Sequence, residues 1–324
     1  MKPNTIEDVA KIFNKKPVDI FMIAVTGGKG GTGKTSVAVN LAAALSHKGL
    51  RVLLVDTDAD SPTTAIVLGI QPTPTKNVET FVPQVIKEKC TKCGKCAEAC
   101  RAHALVQIRD KYPMFFGELC SGCEACLLAC PYEAIGNGRK TVGHLYYGKG
   151  KNIDFIGGEL KPNETRSAQV VVAAKDFAFD QANERRYDIM IVDTPPGTHC
   201  NVVQSIRGAD LALAVTEPTP LGIYDLDLIL KLTSTLGIRT QVVINKANLP
   251  GHDKKGVLEV AKRYGTEAVS EVPVDQKLFQ SYVAGTPLVS TYADSPAAKA
   301  IMELADKILA SVKNTKLDVK SILM

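Results

Sequence analysis

The sequence predicts an α/β fold: a mostly parallel sheet flanked by helices, with a small α+β domain inserted into it. Short apolar runs without polar alternation recur along the chain, as expected of strands that are buried on both faces of a parallel sheet. Stretches with helical spacing separate these runs, which is the alternation typical of α/β proteins. Between the two halves of this pattern, eight of the nine cysteines lie within residues 90–130. That clustering predicts a separate metal-binding unit.

The first strand–helix–strand unit sets the order of the rest. Residues 20–26 (IFMIAVT) and 51–56 (RVLLVD) are predicted strands, and Val37, Leu41 and Leu45 recur between them at helical spacing. Two such strands run parallel and are joined by a right-handed crossover. Further strands are predicted over 187–193, 211–216, 240–245 and 268–272. Further helices are predicted over 223–236, 255–264 and 297–312.

These elements divide the chain into five segments. Residues 141–158, rich in Gly and Tyr and without helical spacing, are expected to lead from the insert back into the main domain as a hairpin or loop. A folded host tolerates such an insertion in a surface loop. The predicted segments are an N-terminal extension (1–19), the first part of the main domain (20–86), the cysteine-rich insert (87–140), the second part of the main domain (141–312) and a C-terminal tail (313–324).

Composition and charge exclude several classes of protein. With 45% apolar and 23% charged residues, the chain is typical of a folded protein rather than a disordered one. The net charge of +5 is modest and spread along the sequence, so no nucleic-acid partner is expected. Residues 1–20 lack the apolar core of a signal peptide, and no apolar run is long enough to span a bilayer, so a cytoplasmic protein is expected. Disulfides are rare in that compartment, and the cysteines therefore need another role.

A glycine-rich segment follows the first predicted strand and precedes the first predicted helix. Its sequence, GKGGTGKT over residues 28–35, fits the G-x-x-x-x-G-K-[ST] pattern of a phosphate-binding loop (P-loop). Glycines let backbone N–H groups surround phosphate oxygens, and the helix N-terminus favours negative charge. Lys34 is expected to reach the β- and γ-phosphates, and the Thr35 hydroxyl to bind Mg²⁺. The predicted nucleotide-binding residues of this loop are Gly28, Lys29, Gly30, Gly31, Thr32, Gly33, Lys34, Thr35 and Ser36.

The early lysine of this loop, Lys29, makes it resemble the deviant Walker A motif of the MinD/ParA group of P-loop ATPases. The resemblance implies Mg²⁺-dependent ATP hydrolysis by an ATP-dependent homodimer. It also implies that Lys29 crosses the dimer interface to the partner's nucleotide and acts in catalysis with Lys34 and Asp58. The alternative is that Lys29 is a surface lysine that contributes only charge.

The same resemblance extends to residues at the ends of three predicted strands. Asp56 ends the second strand and is expected at the ATP–Mg²⁺ site, and Asp58 falls in the first switch, where the family's acid orients the attacking water. The resemblance assigns Asp193 to hold Mg²⁺ through water, Gly197 to sense the γ-phosphate and Asn245 to read the adenine base. Asn is also a common turn residue at strand ends, which is the alternative for that position. Positioning and charge neutralisation of this kind are what phosphoryl transfer requires.

Two runs of cysteine share the spacing C-x₂-C-x₂-C-x₃-C, and Pro131 follows the second run. This is the spacing of bacterial ferredoxins with two [4Fe–4S] clusters, in which the fourth cysteine of each run binds the other cluster. The insert is therefore expected to be a small domain of the bacterial-ferredoxin type. The predicted ligand sets are Cys90, Cys93, Cys96 and Cys130 for one cluster, and Cys120, Cys123, Cys126 and Cys100 for the second.

Zinc and disulfides are the competing interpretations of the cysteines. Zinc sites use two C-x₂-C pairs separated by a loop, whereas each run here has four regularly spaced cysteines. A disulfide scaffold is disfavoured by the expected compartment. Arg101 stands where the ferredoxin pattern has proline. Because proline is not a ligand, cluster binding should survive, and the guanidinium could raise that cluster's reduction potential or bind an acidic partner.

Several other polar residues are expected to have structural roles. Cys200 lies shortly after the second switch, where the distantly related nitrogenase iron protein has a cluster ligand, but a small buried or free thiol is the favoured interpretation. His199 is expected to be a loop residue. The acids expected to be surface charges or helix caps are Asp60, Asp154, Asp210 and Asp225.

Taken together, residues 20–312 resemble the MinD-superfamily ATPases that contain an inserted ferredoxin domain. The resemblance implies an ATP-dependent switch linked to iron–sulfur chemistry, with ATP, Mg²⁺ and two [4Fe–4S] clusters as cofactors and a redox or cluster-accepting protein as partner. One alternative is a MinD/ParA-like positioning ATPase on membrane or DNA, which leaves eight cysteines without a role. Another is an ATP-dependent ligase of the cobyrinate or dethiobiotin synthetase type. The C-terminal tail is short and weakly amphipathic, so no stable membrane anchor is expected.

Overall fold

A nine-stranded sheet organises the chain. The computed structural model describes residues 14–322, and the side chains of residues 14–312. Most of the predicted N-terminal extension and the side chains of the predicted C-terminal tail therefore lie outside the described residues. The strands within this range are β1 (Phe21–Thr26), β2 (Val52–Asp56), β3 (Thr73–Val85), β4 (Leu105–Val106), β5 (Met114–Phe115), β6 (Ile135–Lys149), β7 (Ile153–Leu160), β8 (Ile189–Asp193), β9 (Leu211–Thr216), β10 (Thr240–Asn245) and β11 (Ala268–Val272).

Helices cover both faces of the sheet, as the alternating sequence pattern predicts. They are α1 (Lys34–His47), α2 (Thr64–Leu68), α3 (Lys95–Glu98), α4 (Ala125–Leu128), α5 (Ser167–Arg185), α6 (Cys200–Ile206), α7 (Pro220–Thr235), α8 (Lys254–Arg263), α9 (Gln276–Val283), α10 (Leu288–Thr291) and α11 (Pro296–Ile322). The strand order in the large sheet is β11-β10-β9-β1-β8-β2-β7-β6-β3. All pairs from β11 to β7 are parallel, and the last two pairs are antiparallel. The prediction of a mostly parallel sheet flanked by helices is confirmed.

The central strands are buried on both faces, which explains why their sequences lack polar alternation. Every residue of β1 is buried. Met22 and Ala24 pack into one core with residues of α5, α6, α7 and α8. Ile23 and Val25 point to the opposite face, into a second core with residues of α1, α10 and α11.

Helix ends agree with local sequence signals at several positions. Thr219 caps α7 by accepting a hydrogen bond from the Gly222 N–H (3.1 Å), and Pro220 is the first helical residue. The last helix, α11, continues to Ile322, beyond the predicted end at residue 312. Across the part of the chain that the structure describes, no helix is both long and apolar enough to cross a membrane.

The antiparallel edge of the sheet connects the main domain to the insert. Residues 141–158 form most of a β6–β7 hairpin, and β7 lies parallel to β2. The long strand β3 pairs with β6 along its length, from Thr73 opposite Tyr147 to Val85 opposite Ile135. Most of its first half is exposed and polar, so β3 lacks the apolar pattern by which the central strands were predicted.

The insert, residues 86–134, is built as two similar halves between β3 and β6. The Ile86 N–H donates to the Ala134 carbonyl (2.8 Å), and the Phe116 N–H makes the equivalent bond to the Ala104 carbonyl (2.8 Å). A short helix, α3 or α4, lies in each half, and β4 pairs with β5. The insert has its own small core, formed by Phe81, Leu105, Ile135 and the buried Cys96 and Cys126. Residues 135–140 continue the main sheet in β6.

Candidate functional site

The predicted nucleotide residues meet at the carboxyl edge of the parallel strands. The P-loop connects the end of β1 to the start of α1, and Asp56, Asp193 and Asn245 are the last residues of β2, β8 and β10. Asp56 lies directly opposite Asp193 in the β2–β8 register. Ligands of open α/β sheets bind at this edge, because all the strand ends and helix starts converge there.

The backbone of the P-loop requires glycine at two positions. Gly33 has a φ of 94°, and a Cβ atom there would lie 2.1 Å from Asn245 Nδ2. At Gly28, a Cβ atom would lie 2.5 Å from the Cβ of Asp225 on α7. The loop is therefore held tightly between β10 and α7. The first helical turn of α1 follows without a side-chain cap, so its backbone N–H groups remain open to a ligand.

Lys34 is buried at the base of the loop, where its Nζ donates to the Lys29 carbonyl (2.9 Å). Burial lowers the pKa of Lys34, and the carboxylates of Asp193 and Asp58 oppose that shift. In turn, burial raises the pKa of Asp58, and Lys34 opposes it. The structure thus places Asp58 close to Lys34, although Lys34 precedes β2 in the sequence and Asp58 follows it.

Asp56 and Asp193 form a fully buried acidic pair beside the P-loop. Burial, and then the neighbouring Asp193 carboxylate, raise the pKa of Asp56 to about 8. Asp56 accepts hydrogen bonds from the N–H groups of Asp58 (3.0 Å) and Thr64 (3.1 Å). Burial raises the pKa of Asp193 to about 6, while the nearby hydroxyls of Thr35 and Thr64 oppose the shift. Negative charge at this pair is therefore destabilised until a cation is bound nearby.

One oxygen of this pair has no partner within the described chain. Thr64 Oγ1 donates to Asp193 Oδ2 (2.8 Å), but Asp193 Oδ1 is buried without a hydrogen bond from any described residue. Buried carboxylate oxygens are normally satisfied, so this one indicates a ligand. Oxygen atoms of carboxylates and hydroxyls, with waters and phosphates, are what Mg²⁺ prefers. The residues present therefore fit a nucleotide-bound Mg²⁺.

A cavity of about 490 Å³ opens from the P-loop toward α9. One wall consists of P-loop residues with Asp58 and Asn245. The Asn245 amide donates to the Thr32 carbonyl (2.8 Å), so it braces the loop in this structure. The opposite wall was not predicted from the sequence, because its residues follow β11 without a recognisable motif. That wall is formed by Pro273, Val274, Asp275, Leu278, Phe279 and Tyr282.

Lys29 is held within its own chain by an acid that the sequence did not single out. Its Nζ lies 3.2 Å from Glu217 Oε2, and Glu217 follows directly after β9. Lys246 pairs with the same carboxylate and also donates to the Gly31 carbonyl (3.0 Å). Burial raises the pKa of Glu217, but the hydrogen bonds and charges of Lys246 and Lys29 outweigh burial and keep it below its usual value. Glu217 therefore stays ionised at neutral pH.

The segment after β8 lies against the P-loop. The Gly197 N–H donates to the Gly27 carbonyl (3.3 Å), and Gly197 has a φ of 93°. His199 and Cys200 are exposed at the start of α6, so Cys200 is a free thiol rather than a buried one. Two of the acids expected on the surface are buried instead. Asp154 accepts hydrogen bonds from Tyr147 and Tyr187, and Asp225 packs beside Gly28.

The structure brings members of each predicted cysteine set together. Burial raises the pKa of Cys96, and the nearby thiols of Cys130 and Cys90 contribute to that shift. Burial likewise raises the pKa of Cys126 to about 11, with contributions from Cys120 and Cys100. Cys130, the fourth cysteine of the second run, therefore lies near Cys96 of the first run. Cys100, the fourth cysteine of the first run, lies near Cys126 of the second. A small cavity is lined by all four cysteines of the second set, Cys100, Cys120, Cys123 and Cys126.

Backbone N–H groups point at several of these sulfur atoms. Ala104 donates to Cys100 Sγ (3.2 Å), Ala134 to Cys130 Sγ (3.2 Å) and Gly122 to Cys120 Sγ (3.4 Å). Hydrogen bonds to sulfur are one means by which proteins set the potential of iron–sulfur clusters. Among the side chains of residues 14–312, no three of His, Cys, Asp or Glu converge closely enough to hold a single metal ion.

Known proteins are similar in sequence to this chain over most of its length. An uncharacterized protein of Methanocaldococcus jannaschii is 31% identical over 268 residues, which cover 82% of this chain and 91% of that protein. A protein of Pyrococcus horikoshii named iron-sulfur cluster carrier protein is 28% identical over 313 residues, which cover 92% of this chain and 88% of that protein.

Solved structures with the same fold include the septum site-determining protein MinD of Pyrococcus horikoshii in complex with Mg-ADP. It aligns with a TM-score of 0.59 at 18% identity, over 91% of this chain and 98% of that chain. The cell division ATPase MinD of Pyrococcus furiosus aligns with a TM-score of 0.58 at 19% identity, over 90% and 98%. Residues 23–288 match the family model of the CobQ/CobB/MinD/ParA nucleotide binding domain. The chain therefore belongs to this MinD/ParA family of nucleotide-binding proteins, as its P-loop predicted.

Proposed function

We propose that this protein is an ATP-hydrolysing iron–sulfur protein, in which a dimerising MinD-like ATPase acts on a ferredoxin-type module with two [4Fe–4S] clusters. The observation that carries the proposal is the cavity lined by Cys100 of the first run with Cys120, Cys123 and Cys126 of the second, in an insert that β3 and β6 join to the ATPase sheet. The module's task would be electron transfer or the handling of iron–sulfur clusters. The relatives named iron-sulfur cluster carrier proteins in three Pyrococcus species and Aquifex aeolicus support that choice.

Each nucleotide-site residue has a role that its position supports. The P-loop N–H groups and Lys34 would hold the β- and γ-phosphates, while Thr35 and the buried Asp193 would hold Mg²⁺ directly or through water. Bound Mg²⁺ supplies the positive charge that the phosphates and the acidic pair need. Asp58, which faces Lys34, would orient the attacking water. Asp56 positions this loop by accepting the Asp58 N–H.

The far wall of the cavity would bind the base. Phe279 is 71% exposed and Val274 52% exposed, although both are apolar. Large apolar side chains at the rim of a polar cavity are suited to a flat aromatic ring. Asn245, predicted to read adenine, lines the same cavity and would do so with its free carbonyl oxygen, because its amide nitrogen is used by Thr32.

Homodimerisation would use Lys29. In the single chain this lysine is partly exposed and is paired with the buried Glu217, so it would have to leave that carboxylate. An ATP-bound partner would offer phosphate oxygens, which are stronger acceptors for an ammonium group than one shared carboxylate. Binding of ATP would thus favour the dimer, because ATP has different affinity for the two states.

The cysteine cavities fit clusters better than a single ion. A cubane is bound at its corners, so its thiolates lie further from one another than the ligands of one zinc ion. The two sets each contain four thiols, and N–H groups already point at three of the sulfur atoms. The first set would be Cys90, Cys93, Cys96 and Cys130, and the second Cys120, Cys123, Cys126 and Cys100.

Two physical connections would couple the modules. The strand pair β3–β6 runs from the insert into the sheet, where β7 joins it to β2 and so to Asp56. Helix α5 makes the second connection. Just before it, Arg166 donates to the Cys120 carbonyl (2.8 Å). Further along it, Lys175 donates to carbonyls at the end of α6, the helix that follows Gly197.

The proposal is tested by purifying the protein without oxygen, reconstituting the clusters and measuring iron content and ATP turnover. We expect brown protein with about eight irons per chain and Mg²⁺-dependent hydrolysis. Lys34→Ala should abolish turnover and leave the visible absorption intact, because the two sites belong to different folding units. Protein that binds zinc in place of iron, or that does not hydrolyse ATP, would overturn the proposal.

A further inference from the structure

The two halves of the insert carry opposite charge. Residues 87–111 contain seven Lys and Arg residues and three acids, whereas residues 112–134 contain three acids and no Lys or Arg. The seven cations are all exposed, and together they are here called the basic face. Its members are Lys87, Lys89, Lys92, Lys95, Arg101, Arg109 and Lys111.

The acidic half is the one that the nucleotide-binding domain holds. Arg166 is buried and donates to the carbonyls of Cys120 (2.8 Å) and Gly117 (2.7 Å). Gln169 of α5 donates to the Ser121 carbonyl (3.0 Å). Gly122 lies so close to β3 that a Cβ atom there would be 2.2 Å from Thr80 Oγ1. This half is therefore fixed against the ATPase domain.

The side-chain hydrogen bonds that hold the first cysteine loop lie within the insert. Gln107 donates to the carbonyls of Lys92 and Lys111, both at 2.8 Å, which ties the first cysteine loop to the β4–β5 hairpin. Lys92 and Lys87 lie over the Tyr112 ring at 4.8 and 5.7 Å from its centre. Cys93, in this loop, is exposed. The cysteine loop of the basic face, with its exposed Cys93, is thus held by contacts within the insert.

We propose that the basic face is the docking surface for a protein partner with an acidic surface, an inference that rests on the function proposed above. Charge complementarity steers such partners and fixes their orientation. The neighbouring apolar side chains favour a protein over a nucleic acid as this partner. Exposed apolar residues, Val106, Ile108 and Met114, lie on the same hairpin as Arg109 and Lys111, and apolar centres with charged rims are typical of protein interfaces.

The proposed docking surface also gives the two cluster sets different roles. A partner on the basic face would lie next to the loop of Cys90, Cys93 and Cys96, while the loop of Cys120 faces the ATPase domain. Exchange with the partner would then occur at the first cluster set, and the effect of nucleotide would be felt first at the second set.

The test uses the reconstituted full-length protein and an acidic one-electron carrier, flavodoxin, as the probe. Binding is measured by titration calorimetry at rising salt, and contact sites by carbodiimide cross-linking of lysines to carboxylates. We expect binding that weakens with salt and cross-links at Lys92, Lys95 or Lys111. Arg109→Glu/Lys111→Glu should weaken binding roughly tenfold at low salt.

The matched control is Lys255→Glu/Lys262→Glu on α8, which makes the same change of charge on exposed residues of the ATPase domain. It should bind as the unmodified protein does. Equal losses in both variants, binding insensitive to salt, no binding of flavodoxin, or tighter binding of a DNA oligonucleotide would each overturn the inference. Iron content and ATP turnover are measured on the same samples. If both are normal while docking fails, the docking inference is wrong and the proposed function stands.

Discussion

Two aspartates in one short loop acquire different chemistry from their surroundings. Asp58 is half-buried and faces Lys34, whereas Asp60, two residues later, is exposed. Burial raises the pKa of Asp58 and the lysine opposes it, which is the balance that keeps a carboxylate ionised yet poorly solvated. Such a carboxylate can hold a water molecule firmly, while water molecules bound to the exposed Asp60 exchange freely with solvent.

Replacing these two acids separates a catalytic role from a general effect of charge. We expect Asp58→Asn to lower the rate of ATP hydrolysis by about 100-fold or more, because the attacking water loses its acceptor. ATP binding should be retained, since Asp58 does not hold the phosphates. Steady-state hydrolysis and equilibrium binding of a fluorescent nucleotide are the measurements. Asp60→Asn is the control and should leave both unchanged, and equal losses in the two variants would refute the role of Asp58.

In the proposed dimer, Glu217 would compete with the partner's nucleotide for Lys29. If Lys29 must leave Glu217 to cross a dimer interface, Glu217→Gln should strengthen ATP-dependent dimerisation about three- to tenfold, the effect of one ordinary hydrogen bond. Sedimentation in the presence of a non-hydrolysable nucleotide measures the dimer dissociation constant. Glu271→Gln removes a more exposed ion pair, with Lys254, and serves as the control. The gain must vanish in a Lys29→Ala background, and a gain that persists there would contradict the model of competition.

Residues of the site were predictable from sequence only where they lie within a contiguous motif or at the end of an apolar strand. The P-loop, Asp56, Asp193 and Asn245 met those conditions. Glu217 and the cavity wall near Phe279 did not, because tertiary contacts with the P-loop define them. Asp225 was expected on the surface, but the close approach of α7 to Gly28 buries it. No local pattern reports such an approach.

At the scale of elements, helix α5 connects the insert to the segment that follows the nucleotide site. Lys175 is buried, and its Nζ donates to the carbonyls of Gln204 (2.8 Å), Ser205 (3.1 Å) and Arg207 (2.5 Å). These carbonyls lie at the end of α6, where a helix leaves acceptors unsatisfied. One side chain of α5 thus completes the C-terminus of α6.

Removing this amine should destabilise the protein. Lys175→Met leaves buried carbonyl groups without a donor, for which we expect a loss of about 1–3 kcal/mol in the free energy of unfolding. Chemical denaturation measures it, and Asp180→Asn, an exposed change on the same helix, should have little effect.

Burial, and then the Arg207 charge, lower the pKa of Lys175 to about 7. Between pH 7 and 10 the unfolded chain therefore binds more protons, so the stability of the unmodified protein should rise with pH relative to Lys175→Met. A constant difference across this range would contradict the burial of the amine.

The elements that the sequence did not predict were missed for different reasons. Strand β3 is polar and exposed over most of its first half, because it lies at the edge of the sheet and has little to bury. Helix α5 did carry a signal, since its buried residues Val170, Val171, Ala174 and Ala178 recur at helical spacing. The central strands, buried on both faces, were predicted almost to the residue.

At the scale of the whole molecule, one sheet joins the two proposed functional units. The β3–β6 pair that holds the insert is followed by β7, which lies beside β2 and its terminal Asp56. Arg166 adds a clamp between the Cys120 loop and the start of α5. A change at the nucleotide site can therefore reach one cysteine set through packed, hydrogen-bonded structure, which is the physical requirement for coupling between sites.

This arrangement predicts reciprocal effects of nucleotide and redox state. In the reconstituted protein, a non-hydrolysable ATP analogue should shift the reduction potential of one cluster by about 30–60 mV, which corresponds to a three- to tenfold change in an equilibrium constant for one electron. Linkage then requires that reduction change the affinity for the same analogue by the same factor. EPR-monitored redox titrations give the first quantity, and nucleotide binding to oxidised and dithionite-reduced protein gives the second.

Arg166 is the place to interrupt this coupling without touching either site. Arg166→Lys keeps the charge but cannot reach both carbonyls of the Cys120 loop, because lysine lacks the forked geometry of arginine. We expect the nucleotide-dependent shift in potential to shrink while iron content and ATP turnover persist. Lys140→Met, which removes the exposed partner of Glu164 in the same cluster of charges, is the control and should preserve the shift. If both variants retain the full shift, the coupling does not pass through Arg166, and if the unmodified protein shows none, the two units act independently.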